Sequence, residues 1–167
     1  LLANEVYSWS QGGDLLSRKL MEGGKTHFIK TLEYNNDGSL SKEKLAGNLT
    51  GKGWSEHTKI FTHDLKRHLP IEENDGRIWK RFSYKSENNQ LTARFTGAND
   101  KILKREFFSY DVNGTVISEI VDDGTHEDPN DLKGVTERHY KKITPTSKQP
   151  YGLPEKVEEF YLDTATS

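Results

Sequence analysis

A short unit of sequence recurs along this chain, and each copy is centred on a tyrosine. An apolar residue stands two positions before the tyrosine, and a Gly or an Asn stands four positions after it. Residues two apart on an extended chain project from the same face, so the apolar residue and the tyrosine predict a strand with one inward face. Gly and Asn accept the positive φ of a tight hairpin turn. Each unit therefore predicts a strand, a turn and a second strand.

Three copies carry this pattern. The apolar–tyrosine pairs are Leu32/Tyr34, Phe82/Tyr84 and Phe108/Tyr110, the turn residues are Gly38, Asn88 and Gly114, and the second strands resume at Leu40, Leu91 and Val116. Tyr34 and Tyr84 are 50 positions apart, and Tyr84 and Tyr110 are 26 apart. This spacing leaves room for a fourth copy at residues 59–64, which lacks the glycine. Periods of about 20–50 residues are typical of repeat arrays, so we predict an all-β, antiparallel fold.

The repeats divide the chain into three predicted segments. Residues 1–25 are a leading segment whose spacing of apolar residues suits either a short amphipathic helix or an edge strand. Residues 26–125 hold the degenerate repeats. Residues 126–167 continue an acidic, turn-rich loop and then resume strand-like sequence. Because the last predicted strand ends without a partner, we expect the chain to be cut from a longer array.

Composition predicts a thin sheet. Only 32% of the residues are hydrophobic, below the roughly 45–50% of ordinary globular domains, so a thick core with two apolar sides is not expected. The chain nevertheless holds seven Tyr, seven Phe and three Trp, and disordered chains are poor in aromatic residues. A sheet with one apolar face and one charged face satisfies both observations.

Charge and cysteine content exclude several functions. The chain has 24 Lys plus Arg against 26 Asp plus Glu, interleaved along its length, whereas nucleic-acid binding requires a clustered basic surface. It has no cysteine, so disulfides, thiolate nucleophiles and Cys-ligated metals are excluded. No apolar run approaches the ~20 residues of a membrane-spanning helix. We therefore predict neither a nucleic-acid partner nor a membrane span.

One copy of the repeat carries a more specific motif. Tyr110-Asp111-Val112-Asn113-Gly114 is followed by an apolar pair and closed by Asp122-Asp123-Gly124. This arrangement resembles the YD repeat of Rhs and teneurin-type proteins. The sequence from Tyr34 to Gly38 resembles the same motif with its Asp displaced, and the sequence from Tyr84 to Asn88 resembles it with Asp and Gly lost. From about residue 28 onward, the chain is similar to the less regular, N-terminal side of a bacterial Rhs-family shell.

The resemblance implies a fold and a function. In that family the repeats form a curved antiparallel sheet that winds into a β-spiral shell, and the shell encloses a C-terminal toxin or effector domain that is delivered to a target cell. This chain would then be a non-catalytic wall segment, secreted or at the cell surface through a bacterial secretion system. Its partners would be neighbouring repeats of the same parent chain and the enclosed effector domain. The family's autoproteolytic motif is not found here, so the resemblance implies no catalytic residue, no metal ligand and no cofactor.

A cluster of histidines offers an enzymatic alternative, a small metal-dependent hydrolase. Glu56, His57, His63, Asp64 and His68 lie within a short span, and imidazole and carboxylate groups are the ligands of zinc and the usual acid–base pair. The spacing differs from the i, i+4 spacing of helical zinc ligands. On a strand, His57 and His63 would share a face that His68 does not.

Two further possibilities concern ligand binding. Carboxylates in the acidic loop at residues 122–131 are of the kind that calcium prefers, although their spacing differs from that of the EF-hand loop; they are Asp122, Asp123, Glu127, Asp128 and Asp131. Exposed aromatic residues could also make the chain an independent β-repeat binding module, similar to MORN repeats or to surface adhesins, that presents an aromatic face to its ligand.

Overall fold

A computed structural model describes residues 3–48, 50–148 and 152–163. These residues form twelve β-strands joined by turns and loops, without a helix. The strands are β1 (Ala3–Trp9), β2 (Leu15–Glu22), β3 (Lys25–Tyr34), β4 (Leu40–Gly47), β5 (Ser55–His63), β6 (Pro70–Asn74), β7 (Trp79–Tyr84), β8 (Leu91–Ala98), β9 (Lys101–Tyr110), β10 (Val116–Asp122), β11 (Glu137–Pro145) and β12 (Pro154–Asp163). The described residues include no helix long and apolar enough to cross a membrane.

The strands fall into two compact units. Residues 1–76 hold β1 to β6, and residues 77–167 hold β7 to β12. Within each unit, every strand pairs with the next one along the chain, and every pairing is antiparallel. The predicted all-β, antiparallel fold is therefore confirmed. For the leading segment, the strand alternative is correct and the helix alternative is wrong, because residues 3–22 form β1 and β2. The segment boundaries near residues 25 and 125 remain predictions.

The turns after β1, β3 and β9 share one geometry over five residues. The first residue's N–H donates to the fifth residue's carbonyl, and the fourth residue's N–H donates back to the first residue's carbonyl; in the last of these turns the distances are 2.9 and 3.1 Å between Asp111 and Thr115 and between Gly114 and Asp111. The fourth residue is always a glycine with positive φ; these are Gly13, Gly38 and Gly114. A residue with a Cβ is disfavoured at such a φ, so glycine fixes where the chain reverses.

The turns after β5 and β7 repeat this geometry with one extra residue. Asp64 and Lys85 begin these six-residue turns, and His68 and Asn89 take the positive φ, at 56° and 60°. The fourth copy predicted at residues 59–64 is confirmed as the end of a strand and the start of a turn. The prediction that Asn88 takes the positive φ is wrong by one position, because the turn is longer. The Asn88 side chain instead accepts the Gln90 N–H at 3.1 Å.

Alignment on these turns adds a copy that the tyrosines do not reveal. Tyr34, Tyr84 and Tyr110 each end the strand before such a turn. Trp9 and His63 stand at the same position before theirs. Among the described residues, five strand–turn–strand units therefore share this turn geometry. In each unit a ring ends the first strand, and the type of ring varies.

The apolar core lies in the second compact unit, residues 77–167. The buried residues Trp79, Ala93, Phe95 and Phe107 pack together. The Phe95 and Phe107 rings meet edge to face, with centroids 5.7 Å apart and planes at 76°, an arrangement that aromatic quadrupoles favour. The Trp79 ring lies across Gly97, where a Cβ would be 2.1 Å from the indole. The Trp79 Nε1–H donates to the Asn99 carbonyl at 2.6 Å, which satisfies the one polar atom of the ring.

The face opposite this cluster carries an ion-pair network. Arg94 and Glu106 face each other across β8 and β9 and form a two-bond ion pair, both bonds at 2.6 Å, and Lys104 adds a bond at 3.0 Å. In the register, Phe82 lies opposite Arg94 on this face, and the buried Arg105 lies opposite Phe95 on the other face. Each face therefore carries both apolar and charged side chains, and the predicted division into one apolar and one charged face is wrong for this unit. The first compact unit, residues 1–76, has no comparable apolar core. Among its described residues, Ala46 is the only buried hydrophobic residue.

Candidate functional site

The most elaborate side-chain arrangement in the described residues is a row across three strands of the second unit. In the strand register, Arg105 of β9 lies opposite Asp122 of β10, and Asp122 lies opposite Arg138 of β11. Residues directly opposite each other project from the same face of a sheet. We call these three residues the Arg105 cluster.

The Arg105 cluster is a buried ionic site. The Arg105 Nε and Nη2 donate to the two Asp122 oxygens at 2.6 and 3.1 Å, and the Arg138 Nε donates to Asp122 at 2.8 Å. The side chains of Arg105 and Asp122 are completely inaccessible to solvent, and that of Arg138 is 15% exposed. One carboxylate therefore holds two guanidinium groups in a dry environment, where charges are stable only if they are paired.

The loop between β10 and β11 wraps around the guanidinium of Arg105. Its Nη1 donates to the carbonyls of His126 and Asp128, and its Nη2 donates to the carbonyl of Asp131. Together with the two bonds to Asp122, these use all five N–H donors that a guanidinium has. A buried arginine with every donor satisfied is a structural centre, because its position fixes the path of the loop.

The sequence Asp122-Asp123-Gly124 has a separate task for each residue. Asp122 pairs with the two arginines. Asp123 accepts the N–H groups of Thr136 and Glu137 at 2.8 and 3.2 Å, which holds the far end of the loop. At Gly124 a Cβ would lie 2.3 Å from the Arg105 Cζ, so only glycine leaves room for the guanidinium.

Electrostatics keep Asp122 ionised. Burial raises the pKa of the Asp122 carboxyl, but hydrogen bonds from Arg105, from the Gly124 N–H and from Arg138 lower it by more, and the pKa lies below its ordinary 3.8. A general acid or base requires a pKa near the working pH. This carboxylate is instead a permanent counter-ion.

Two tyrosine hydroxyls connect consecutive repeats. Tyr34 Oη donates to the Leu15 carbonyl at 3.0 Å, and Tyr110 Oη donates to the Leu91 carbonyl at 2.8 Å. In both cases the acceptor is 19 residues earlier and is the first residue of the strand that follows the preceding turn. The hydroxyl thus explains why tyrosine, rather than phenylalanine, stands at these two positions.

The same architecture occurs in solved toxin structures. The crystal structure of TcdB2-TccC3-Cdc42 matches 95% of this chain with a TM-score of 0.61 and 20% identity. The crystal structure of TcdB2-TccC3 matches 84% with a TM-score of 0.59, and a Tc holotoxin pore of Photorhabdus luminescens matches 83% with a TM-score of 0.58, each at 20% identity. This chain has the fold of a Tc toxin segment.

The match covers a small part of each toxin chain. The present chain spans 7–8% of the lengths of the chains it matches. No family model and no curated protein matches it. At the level of the fold, this likeness confirms the resemblance that the sequence from Tyr110 to Gly124 predicts.

Within this Tc-toxin-like fold, the predicted histidine cluster is dispersed. His57 Nε2 faces Asp75 at 3.6 Å, and His68 Nδ1 is 2.6 Å from Asp37. The Nδ1 of His63 is buried without a hydrogen-bond partner. Among the residues that the structure describes, no three His, Asp or Glu side chains are grouped so that they could hold a metal ion. His68 instead has a backbone role, because it is the residue with positive φ in the turn after β5.

Carboxylates of the acidic loop likewise accept hydrogen bonds from the backbone of the loop itself. Asp128 accepts the Asn130 N–H and Asp131 accepts the Lys133 N–H, both at 2.8 Å. The cation at the centre of this loop is the guanidinium of Arg105, which the loop binds through carbonyl oxygens. Sequence reasoning identified these acids but missed Arg105, because the cation lies on β9, well before the loop, and nothing local to the loop indicates it.

Proposed function

We propose that this chain is a non-catalytic wall segment of an Rhs-like YD-repeat shell that encloses a C-terminal effector domain and helps to deliver it. One observation carries the proposal: nearly the whole chain matches a small fraction of much longer toxin chains. A segment that is a small part of a chain and consists only of paired strands is suited to continue a sheet.

The described contacts suit a wall. Consecutive antiparallel pairing can extend a sheet, and the hydroxyls of Tyr34 and Tyr110 tie two of the repeats to the ones before them. The Arg105 cluster fixes a long loop against one face. In this proposal the parent protein is secreted or displayed on the cell surface through a bacterial secretion system, and its partners are neighbouring repeats and the enclosed effector.

Limited proteolysis of the parent protein tests this proposal. The parent reading frame should encode further Tyr-Asp-x-x-Gly copies and a distinct C-terminal domain, and that domain should resist protease in the intact protein. Asp122→Asn should open the wall and make the domain cleavable, whereas Glu158→Gln, which removes one carboxylate of an exposed pair, should leave it protected. A parent without further repeats, or a C-terminal domain that is cleaved equally in all three proteins, would reject the shell.

An independent binding module is the second candidate, and an exposed aromatic pair favours it. The Tyr140 and Phe160 rings stack with centroids 5.8 Å apart, and Phe160 is 52% exposed. Exposed aromatic rings present an apolar surface on which the C–H face of a sugar can pack. A glycan-array screen of the chain with Phe160→Ala as its control tests this candidate; binding lost in the variant would support it, and no binding would remove it.

A further inference from the structure

The turn after β9 contains the pair Asn113-Gly114, and no other asparagine of this chain is followed by glycine. Asparagine is one of the chemically labile residues of proteins. The backbone nitrogen of the next residue can attack its side-chain amide, and glycine hinders this attack least because it has no Cβ. The reactivity of the pair therefore depends on how the turn holds the asparagine side chain.

The side-chain amide of Asn113 is exposed and is not held by the turn. Among the described residues it makes no hydrogen bond, whereas the Asn113 N–H donates to Asp111 Oδ1 at 2.9 Å. The same oxygen of Asp111 accepts the Thr115 N–H at 2.9 Å. Asp111 therefore takes the N–H two residues beyond Asn113, to which an asparagine or aspartate side chain commonly bonds. The Asn113 amide is left without this bond.

The turn after β3 has the same geometry, but the side chain at its third position is held. Asp37 occupies the position of Asn113, before the turn glycine, and is also exposed. Asp37 Oδ1 accepts the N–H and the hydroxyl of Ser39 at 2.9 and 2.6 Å, and Asp37 Oδ2 lies 2.6 Å from His68 Nδ1. The bonds from Ser39, with a smaller contribution from His68, lower the pKa of the Asp37 carboxyl. An ionised carboxylate resists attack by a nucleophile.

From this contrast we infer that Asn113 is a site of spontaneous deamidation in the folded chain. The Gly114 nitrogen bonds to the Asn113 Cγ and gives up its proton to water. The Cγ–Nδ2 bond breaks, and the side-chain nitrogen takes up a proton and leaves as ammonia, so that a succinimide ring remains. Water then adds to either ring carbonyl and opens the ring, which gives aspartate or isoaspartate.

One hydrogen bond must open before the attack. The Gly114 N–H donates to the Asp111 carbonyl at 3.1 Å, and backbone bonds in exposed turns open most easily. Both products then carry a negative charge where Asn113 has none, and isoaspartate adds a backbone atom to the turn. The inference goes beyond the proposed shell and does not depend on it, because it rests on contacts within one turn between β9 and β10.

Peptide mapping of the aged chain by mass spectrometry tests the site. After incubation at mildly alkaline pH, we expect the peptide that contains Asn113 to gain the mass difference between NH2 and OH and to separate into aspartyl and isoaspartyl isomers. Asn113→Gln should remove this modification, because the longer side chain would have to close a larger ring. An unmodified Asn113 in the aged wild type, or equal modification of asparagines that are not followed by glycine, would overturn the inference.

A second Asn-Gly pair tests the role of the hydrogen bonds. Asp37→Asn places an asparagine before Gly38 in the matched turn, where Ser39 can still donate to the side-chain oxygen. In the folded protein we expect this asparagine to deamidate at least about tenfold more slowly than Asn113, because the bonds from Ser39 must break before the ring can close. In concentrated urea the two rates should become similar. Equal rates in the folded protein, or a tenfold difference that persists in urea, would overturn the inference.

Discussion

The Asp122 carboxylate is shared by the buried guanidinium of Arg105 and the partly buried guanidinium of Arg138, so its removal has a large predicted effect. Asp122→Asn would leave Arg105 and Arg138 without a counter-ion in a site that excludes water. Breaking a buried ion pair by removing one partner typically costs about 3–5 kcal/mol. We expect the free energy of unfolding, measured by urea titration of tryptophan fluorescence, to fall by this amount. Glu158→Gln, in an exposed pair with Lys156, should change it far less; equal losses would contradict the buried site.

The same carboxylate predicts a pH dependence with a definite sign. Since the pKa of Asp122 is lowered in the folded chain, its contribution to stability is present above the ordinary pKa of 3.8 and is lost as the pH falls through the lower, folded value. The wild type should therefore lose stability on acidification below about pH 4. Asp122→Asn should lose less over that range. Parallel acid limbs in the two proteins would show that Asp122 is not the group responsible.

His68 has a backbone role that substitution can separate from a catalytic one. Its φ is 56°, a conformation that costs a non-glycine residue about 1–3 kcal/mol. We expect His68→Gly to be as stable as the wild type or up to about 1 kcal/mol more stable, and His68→Val to be about 1–2 kcal/mol less stable, because β-branched residues tolerate this φ least. His57, inside β5, is the matched control. At His57 the order of stability should reverse, with His57→Val more stable than His57→Gly, since valine favours a strand and glycine weakens it.

At the scale of the repeat, the tyrosine hydroxyls are expected to act alike. Tyr34→Phe and Tyr110→Phe each remove one hydrogen bond to a carbonyl 19 residues earlier and keep the ring. Loss of such a bond costs about 0.5–1.5 kcal/mol, and the two variants should agree within that range in urea unfolding. Tyr161→Phe, on an exposed ring, should be neutral. A clear cost at only one of Tyr34 and Tyr110 would mean that the two repeats are not equivalent.

The repeats also show which elements the sequence could reveal. Hairpins at Tyr34 and Tyr110 were predictable because a period-2 pair and a glycine are local signals. The unit whose first strand ends at Trp9 was not predictable, because its ring is not a tyrosine. The turn at His68 was not predictable either, because an extra residue moves the position of the positive φ. The Arg105 cluster is the extreme case: its three residues meet only through strand register, which a local pattern does not contain.

At the scale of the whole molecule, the uneven distribution of buried residues predicts uneven stability. The second unit holds the packed cluster of Trp79, Ala93, Phe95 and Phe107 together with the Arg105 cluster. In the first unit, among the described residues, Ala46 is the only buried hydrophobic side chain. Local opening is easiest where few apolar contacts are buried. Amide hydrogens of β8, β9 and β10 should therefore exchange more slowly than those of β2, β3 and β4 in native-state hydrogen exchange.

A core substitution distinguishes packing from strand pairing as the source of this protection. Both units have continuous antiparallel ladders, so if pairing alone determined exchange, the two sets of amides would be protected equally. Phe107→Ala removes a ring from the packed cluster and should cost about 3–5 kcal/mol. Protection in β8 to β10 should then fall towards the level of β2 to β4. Uniform protection in the wild type, or protection in β8 to β10 that persists in Phe107→Ala, would mean that the ladder rather than the aromatic core stabilises this sheet.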